Sequence, residues 1–189
     1  MQSKKIAITG GIGSGKSAVS QIIKQAGYPV LSCDEIYKNL SFDREYLDKL
    51  QKLFPGCVQD GKLLRRALSE KVFGDNNALK ALNALSHPLI MARLEQEMEK
   101  FPIAFAEVPL LFEGGYQMQF DEVIVVLREM RLRIESVKAR DNLTEDEILS
   151  RIRQQFDYNK LPENCLVIEN NGTLSDLKES TQKILHKIL

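Results

Sequence analysis

Eight consecutive residues carry the densest chemistry in this chain: Gly10-Gly11-Ile12-Gly13-Ser14-Gly15-Lys16-Ser17. They fit the spacing G-x-x-x-x-G-K-[ST] at every position. Glycines at 10, 11, 13 and 15 let the backbone curl until several N–H groups converge on phosphate oxygens. Lys16 supplies a point charge for the β- and γ-phosphates, and the Ser17 hydroxyl is an oxygen ligand for Mg²⁺. The helix that must follow aims its positive end at the same anion. The segment therefore predicts a site for a nucleoside triphosphate.

Such a loop works only between a strand and a helix, and the flanks supply both. Lys4 to Thr9 reads as a short buried strand. Ala18, Val19, Ile22, Ile23 and Ala26 recur at helical spacing, with Gly27 as a stop signal. Four more strand patterns follow, at Pro29–Ser32, Ile103–Val108, Val123–Leu127 and Leu166–Ile168. The unbroken apolar run Val123–Leu127 marks a strand covered on both faces. Between the second and third strands lies a helical block. Tyr46, Leu47, Leu50, Leu53 and Phe54 form one stripe ended by Pro55-Gly56, and Asp60-Gly61 marks a turn. Helices are predicted over Leu63–Phe73 and Ala78–Leu85, and another starts at Pro88 and runs to about Lys100. Later, Arg131–Arg140 reads as a basic helix, Thr144 and Glu147 as a capping box, and Ser175 as the cap of a C-terminal helix. Strands alternating with helices predict an α/β fold: a P-loop core with a five-stranded parallel sheet and helices on both faces. The long helical block is too large for a plain crossover and reads as a substrate-binding insertion.

Composition narrows the function classes. The 189 residues hold 26 Lys+Arg and 26 Asp+Glu, so no global field recruits nucleic acid or an anionic membrane. No apolar run approaches transmembrane length, and Met1-Gln2-Ser3-Lys4-Lys5 leads directly into a core strand, which argues against a signal peptide. Three widely spaced cysteines, Cys33, Cys57 and Cys165, read as reduced thiols of a cytoplasmic protein. With His87 and His186 the only histidines, a zinc site is not expected. No obligate protein partner is implied; a small-molecule substrate is.

The P-loop alone does not separate kinases, GTPases, motors and regulators. A guanine-specific N/T-K-x-D element is missing, since Asn159-Lys160-Leu161-Pro162 lacks the Asp. Motors and transporters sit in larger chains. A compact core, a helical insertion and a basic segment late in the chain suit a small-molecule kinase better.

At this point the residues resemble a family. Thr9–Ser17, Asp34, Asp60-Gly61-Lys62-Leu63-Leu64-Arg65 with Leu68, Val72-Phe73 and His87-Pro88 match the pattern of the dephospho-CoA kinases. So do Glu107-Val108-Pro109-Leu110-Leu111-Phe112-Glu113, Arg140-Asp141, Arg151–Gln154, and Val167–Asn170 with Gly172. The resemblance runs nearly end to end. It implies transfer of the ATP γ-phosphoryl group to the ribose 3′-hydroxyl of dephospho-CoA, with ATP and Mg²⁺, on a fold similar to nucleoside monophosphate kinases. It also implies one kinase domain with a nucleotide core at about 1–42, 101–128 and 161–189, a CoA-binding insertion at about 43–100 and a lid at about 129–160. The chain departs from the family pattern at four places: Ser32 before Asp34, Leu64 before Arg65, Ser136 before Arg140, and Asn164-Cys165.

The resemblance assigns roles, each with a plainer alternative. Gly11, Ile12, Gly13, Ser14, Gly15, Lys16, Ser17 and Asn170 would bind the nucleotide, with Asn170 bordering the adenine or simply making a turn. Asp34 would bind substrate and act as general base, or cap a helix beginning at Glu35. Ser17 and Glu107 would hold Mg²⁺, Glu107 being otherwise an ordinary strand-end carboxylate. Arg65, His87 and Glu113 would contact dephospho-CoA, against a solvated face, a helix start and a structural carboxylate. Among Arg128, Arg131, Arg133, Lys138 and Arg140, the family position is that of Arg140, which joins Lys16 and Asp34 as catalytic. Two alternatives stand beside this kinase: a nucleotide-binding regulator without transfer, and a kinase of another nucleotide-like acceptor.

Overall fold

The computed structural model describes residues 3–189, so the expectation for Met1-Gln2 lies outside the described residues. The chain begins with β1 (Lys4–Thr9), α1 (Lys16–Gln25), β2 (Val30–Ser32), α2 (Cys33–Leu40) and α3 (Arg44–Leu53). It continues with β3 (Val58–Gln59), β4 (Lys62–Leu63), α4 (Arg65–Val72), α5 (Asn76–Met98) and β5 (Ile103–Glu107). After a 3₁₀ turn at Gln117–Gln119 come β6 (Glu122–Leu127), α6 (Met130–Asp141), α7 (Glu145–Arg153), β7 (Cys165–Glu169) and α8 (Leu174–Ile188). Compact packing divides the chain into the part up to Leu31 with Met98–Leu189, and a second unit, Ser32–Glu97. No helix among the described residues is long and apolar enough to cross a membrane.

All five expected sheet strands are present, in the order β2-β5-β1-β6-β7. β1 runs parallel to both β5 and β6, and β6 parallel to β7. Side chains alternate in register: Ile6, Ile8, Phe105, Ile124, Val126 and Ile168 join Val19, Ile22 and Ile23 of α1 and Leu177, Leu185 and Ile188 of α8 in one cluster. Ala7, Ala106, Val123 and Val125 point the other way and are equally buried, so both faces of the sheet are covered. Each fully buried Ile or Phe contributes about 1.5–3 kcal/mol of transfer free energy. Register then sets chemistry. Ile8 pairs with Glu107 and Thr9 with Val125, so Glu107 ends its strand beside the start of the glycine loop.

The Ser32–Glu97 unit corrects three local expectations. Leu63 belongs to a short antiparallel hairpin, β3–β4, and the helix begins only at Arg65. Asp60 and Gly61 carry φ of 50° and 70°, the two positive values that a tight two-residue hairpin turn requires. Leu63 was expected inside a helix because the apolar spacing around it fits either structure. The second correction is α5, a single helix through Pro88 in place of one that stops near Leu85 and one that starts at Pro88. A proline inside a helix costs about 3 kcal/mol. Leu82, Ser86, Ile90 and Leu94 are buried at four-residue intervals on both sides of it. That continuous stripe, worth about 1.5–3 kcal/mol per large apolar residue, outweighs the proline. The third concerns α2, which starts at Cys33 and is capped by Ser32, whose side chain accepts from Glu35 N–H at the limit of hydrogen-bond length. Asp34 is therefore not the cap; it sits in the first turn, where a carboxylate meets the positive helix end. In the other unit, α8 is capped by Thr173 with Asp176 in a full capping box, and Ser175 lies inside the first turn. The expected box of Thr144 and Glu147 is present on α7.

Candidate phosphate-binding site

The loop between β1 and α1 takes the conformation its glycines permit. Gly13 and Gly15 have φ of 74° and 99°, values that disfavour any side chain. Space is short as well. A Cβ on Gly13 would lie 2.7 Å from Arg133 O, and one on Gly15 would collide with Asn170 Nδ2. Gly15 is the N-cap of α1, no side chain caps the helix, and its first turn holds no acidic residue. No side chain of the helix itself therefore takes up its N-terminal N–H donors, as an anion site requires.

Lys16 Nζ donates to the carbonyls of Gly10 and Gly11 at 2.8 and 3.1 Å, which holds the ammonium over the loop it serves. Ser17 Oγ donates to Glu107 Oε1 at 2.9 Å, and Ser20 Oγ to Glu107 Oε2 at the same distance. Two hydroxyls one helical turn apart thus fix both oxygens of one carboxylate. Hydrogen bonds to an ionised acceptor are roughly twice as strong as neutral ones. Asn170 Nδ2 donates to Ser14 O at 2.9 Å, tying the end of β7 to the loop. Ser17, Glu107 and Asn170 are thereby brought together with Gly11–Lys16.

The opposite wall comes from α6 and the segment after α7. Arg133 Nε donates to Ile12 O at 2.9 Å, and Ile12 N–H donates to Gln155 Oε1 at 2.9 Å. The backbone of one loop residue is therefore held at both its N–H and its carbonyl. Burial lowers the pKa of the Arg133 guanidinium from its ordinary value, while the nearby Tyr158 acts the other way. Phe112, Phe156 and Tyr158 form an aromatic group, with Phe112 and Phe156 stacked at 4.5 Å. Glu113 Oε1 accepts from Phe156 N–H at 2.9 Å, so its carboxylate anchors this segment. Burial first, and the Glu113 charge second, push the Tyr158 phenol up to about 12. Its hydroxyl lies near Thr9 and Gly10 without reaching good hydrogen-bond geometry. A cavity of about 570 Å³ opens between these walls, lined by Gly11, Ser14, Arg128, Arg133, Gln155, Tyr158 and Asn171 among others. Arg128 Nη1 donates to the hydroxyl of Ser136, one of the departures noted above, at 2.9 Å.

Arg140 is exposed near the end of α6 and forks onto Asp141 with two bonds of 2.7 Å. That pairing raises the Arg140 pKa and lowers that of Asp141. In the Ser32–Glu97 unit, Asp34 is exposed on the first turn of α2, and Arg65 starts α4 with Nη2 3.4 Å from Ser41 Oγ. His87 is half-buried within α5, and burial lowers its pKa.

Sequence reasoning passed over Ser20, Gln155 and Tyr158, and counted Arg133 only within a basic run. One signal existed. Arg133, Val137 and Arg140 recur at i, i+4 and i+7, and Val137 is the buried residue of that face. An arginine one turn before a buried valine faces inward. Gln155 and Tyr158 follow the last residue of α7 and had no periodicity to read.

Comparisons with known proteins show what the chain is similar to. The family model described as Dephospho-CoA kinase matches residues 4–176. A dephospho-CoA kinase of Thermus thermophilus is 38% identical over 186 residues, covering 97% of this chain and 91% of that protein. A solved structure from Thermus thermophilus superposes with a TM-score of 0.84 at 36% identity, covering all of both chains. A dephospho-CoA kinase from Campylobacter jejuni superposes with a TM-score of 0.67 at 25% identity, covering 98% of this chain and 97% of that one.

Proposed function

The chain belongs to the dephospho-CoA kinase family, and from that membership we propose that it transfers the γ-phosphoryl group of ATP to the ribose 3′-hydroxyl of dephospho-CoA. The products are CoA and ADP, in the final step of coenzyme A synthesis. The observation that carries the reading is the unit built by Lys16, Ser17, Glu107 and Asn170 around an uncapped helix N-terminus. Such a unit suits a triphosphate and little else.

In the proposed reaction the bond from the γ-phosphorus to the β–γ bridging oxygen breaks. A bond from the acceptor 3′-oxygen forms, and the 3′-hydroxyl proton passes to Asp34. Catalysis of this kind is mostly positioning and charge stabilisation. Loop N–H groups and Lys16 hold the β- and γ-phosphates, and Asn170 borders the adenine. Arg140 would release Asp141 and turn its planar fork to the transferring group, where negative charge spreads in the transition state. Arg65 and His87 would contact dephospho-CoA. Glu113, besides anchoring Phe156, would face the same substrate.

Mg²⁺ belongs to the proposal. The Ser17 hydroxyl and Glu107 carboxylate are hard oxygen ligands 2.9 Å apart, a donor set that fits an ion which keeps most of its waters and takes one or two protein oxygens plus phosphates. When bound, the ion would neutralise charge on the β- and γ-phosphates. Three widely spaced cysteines, two of them buried, favour a reducing compartment, and we place the reaction in the cytoplasm. No second protein is required by the proposal.

A coupled ADP-release assay tests the reading. Dephospho-CoA should stimulate ATP turnover far more than AMP, dTMP or shikimate at equal concentration. Equal or greater stimulation by a nucleoside monophosphate would point to another acceptor.

A further inference from the structure

Arg128 follows the last residue of β6, and Asn170 follows the last residue of β7. The two strands pair in parallel with Leu127 opposite Glu169, and Asn170 N–H donates to Leu127 O at 2.8 Å. Arg128 and Asn170 are therefore neighbours at the C-terminal edge of the sheet. The Arg128 guanidinium is held at one end by Ser136 Oγ, 2.9 Å from Nη1. Its Nε is buried and has no hydrogen-bond partner among the described residues. A charged donor left unpaired in a buried place is costly. The side chain lines the same cavity as Gly11, Ser14, Arg133, Glu169 and Asn171. Arg133 spends its Nε on Ile12, whereas that of Arg128 stays uncommitted.

We infer that Arg128 is a nucleotide-positioning residue that grips the adenosine end of ATP, its plane steadied by Ser136. The inference rests on the ATP-binding reading above and adds a residue to it. A planar guanidinium suits a base because it stacks on a π-face and donates at its edge, which an ammonium on a flexible stem does not reproduce. Lys16 and the loop already serve the phosphates, and Arg128 sits at the strand end next to Asn170, not on the loop.

The test compares ATP with inorganic tripolyphosphate, by displacement of a fluorescent nucleotide and by steady-state kinetics. Arg128→Ala should raise the Kd and KM for ATP about tenfold, from the loss of a desolvated cation–π contact. Tripolyphosphate binding, kcat and the KM for dephospho-CoA should stay within about threefold. Arg128→Lys should recover little. If Arg128→Ala fails to fold, Arg128→Gln keeps the stem and is held to the same expectations. Unchanged ATP affinity, or an equal loss for tripolyphosphate, would each overturn this inference alone. A wild-type protein that bound no ATP would overturn the reading beneath it as well.

Discussion

The two walls of the proposed nucleotide site are built by different means. The glycine loop is eight contiguous residues whose backbone makes the site, and its spacing is its geometry. The facing wall brings Arg133 and Gln155 onto Ile12 from 121 and 143 positions away. A site made of backbone can be read from a short string. A site made of converging side chains needs the fold first.

The largest expected effect tests the backbone wall at its one charged side chain. Lys16→Ala should lower kcat/KM by roughly 10³-fold, in the range seen when one preorganised transition-state donor is lost. Thermal stability should hold, since Lys16 faces the loop carbonyls and not the core. Near-normal turnover would break the assignment of the loop.

Asp34→Asn comes next. It preserves size and hydrogen bonding but cannot take the 3′-hydroxyl proton, so CoA formation should fall by about 10² or more. Titration calorimetry should find both ligands bound nearly as before. A matching loss of binding would make Asp34 a binding residue only.

The facing wall can be sharpened with two arginines of one helix. Arg140→Ala should lower kcat by about 10- to 100-fold with a modest change in ATP affinity, the scale of a charge-assisted hydrogen bond in the transition state. Arg140→Lys should restore little. Arg133→Ala should act on ATP KM first, because its bond is to the loop in the resting structure. The reverse pattern, kcat lost with Arg133 and nothing with Arg140, would exchange their roles.

Smaller effects belong to stability. Gly15→Ala forces a left-handed backbone and a collision with Asn170, and should cost at least about 1–2 kcal/mol, or roughly 2–8 °C in Tm for a chain of this size. His87 supplies a pH test. Burial lowers its pKa from 6.5. Above that pH it is neutral folded and unfolded and contributes nothing. As pH falls below 6.5, the unfolded chain takes up a proton that folded His87 resists, so stability declines until the folded group also protonates. Asp43, Glu147 and Asp157 are lowered from 3.8, 4.5 and 3.8, so their stabilisation is lost only at more acid pH. Urea unfolding between pH 7 and 5 should therefore flatten in His87→Gln. An unchanged slope would remove His87 from the account.

Much of the fold was legible because hydrophobic period and punctuation agreed. The five sheet strands and the Thr144 box fall where pattern and turn residues coincide, as do the Pro55-Gly56 stop and Gly27. Where local signals conflicted, packing decided. Pro88 signals a helix start, but the buried stripe from Leu82 to Leu94 carries α5 through it. Ser175 and Thr173 are both competent caps, and the reach of Asp176 back to Thr173 N–H, 2.7 Å, selects the latter. Of the site, the loop, Glu107 and Asn170 were visible because strand ends collect ligands. Gln155 and Tyr158 were not, since nothing local to them encodes their distance to Ile12 or Thr9. Ser20 lay in plain view one turn after Ser17, hidden by its ordinary role as a helix residue.

The most direct test of the central claim is to follow the product itself. Purified protein with ATP, Mg²⁺ and dephospho-CoA should yield CoA and ADP in equal amounts, with the new phosphate on the ribose 3′-oxygen by mass spectrometry and ³¹P NMR. ATP and dephospho-CoA both bound, with no CoA formed, would contradict the account and leave a nucleotide-binding regulator in its place.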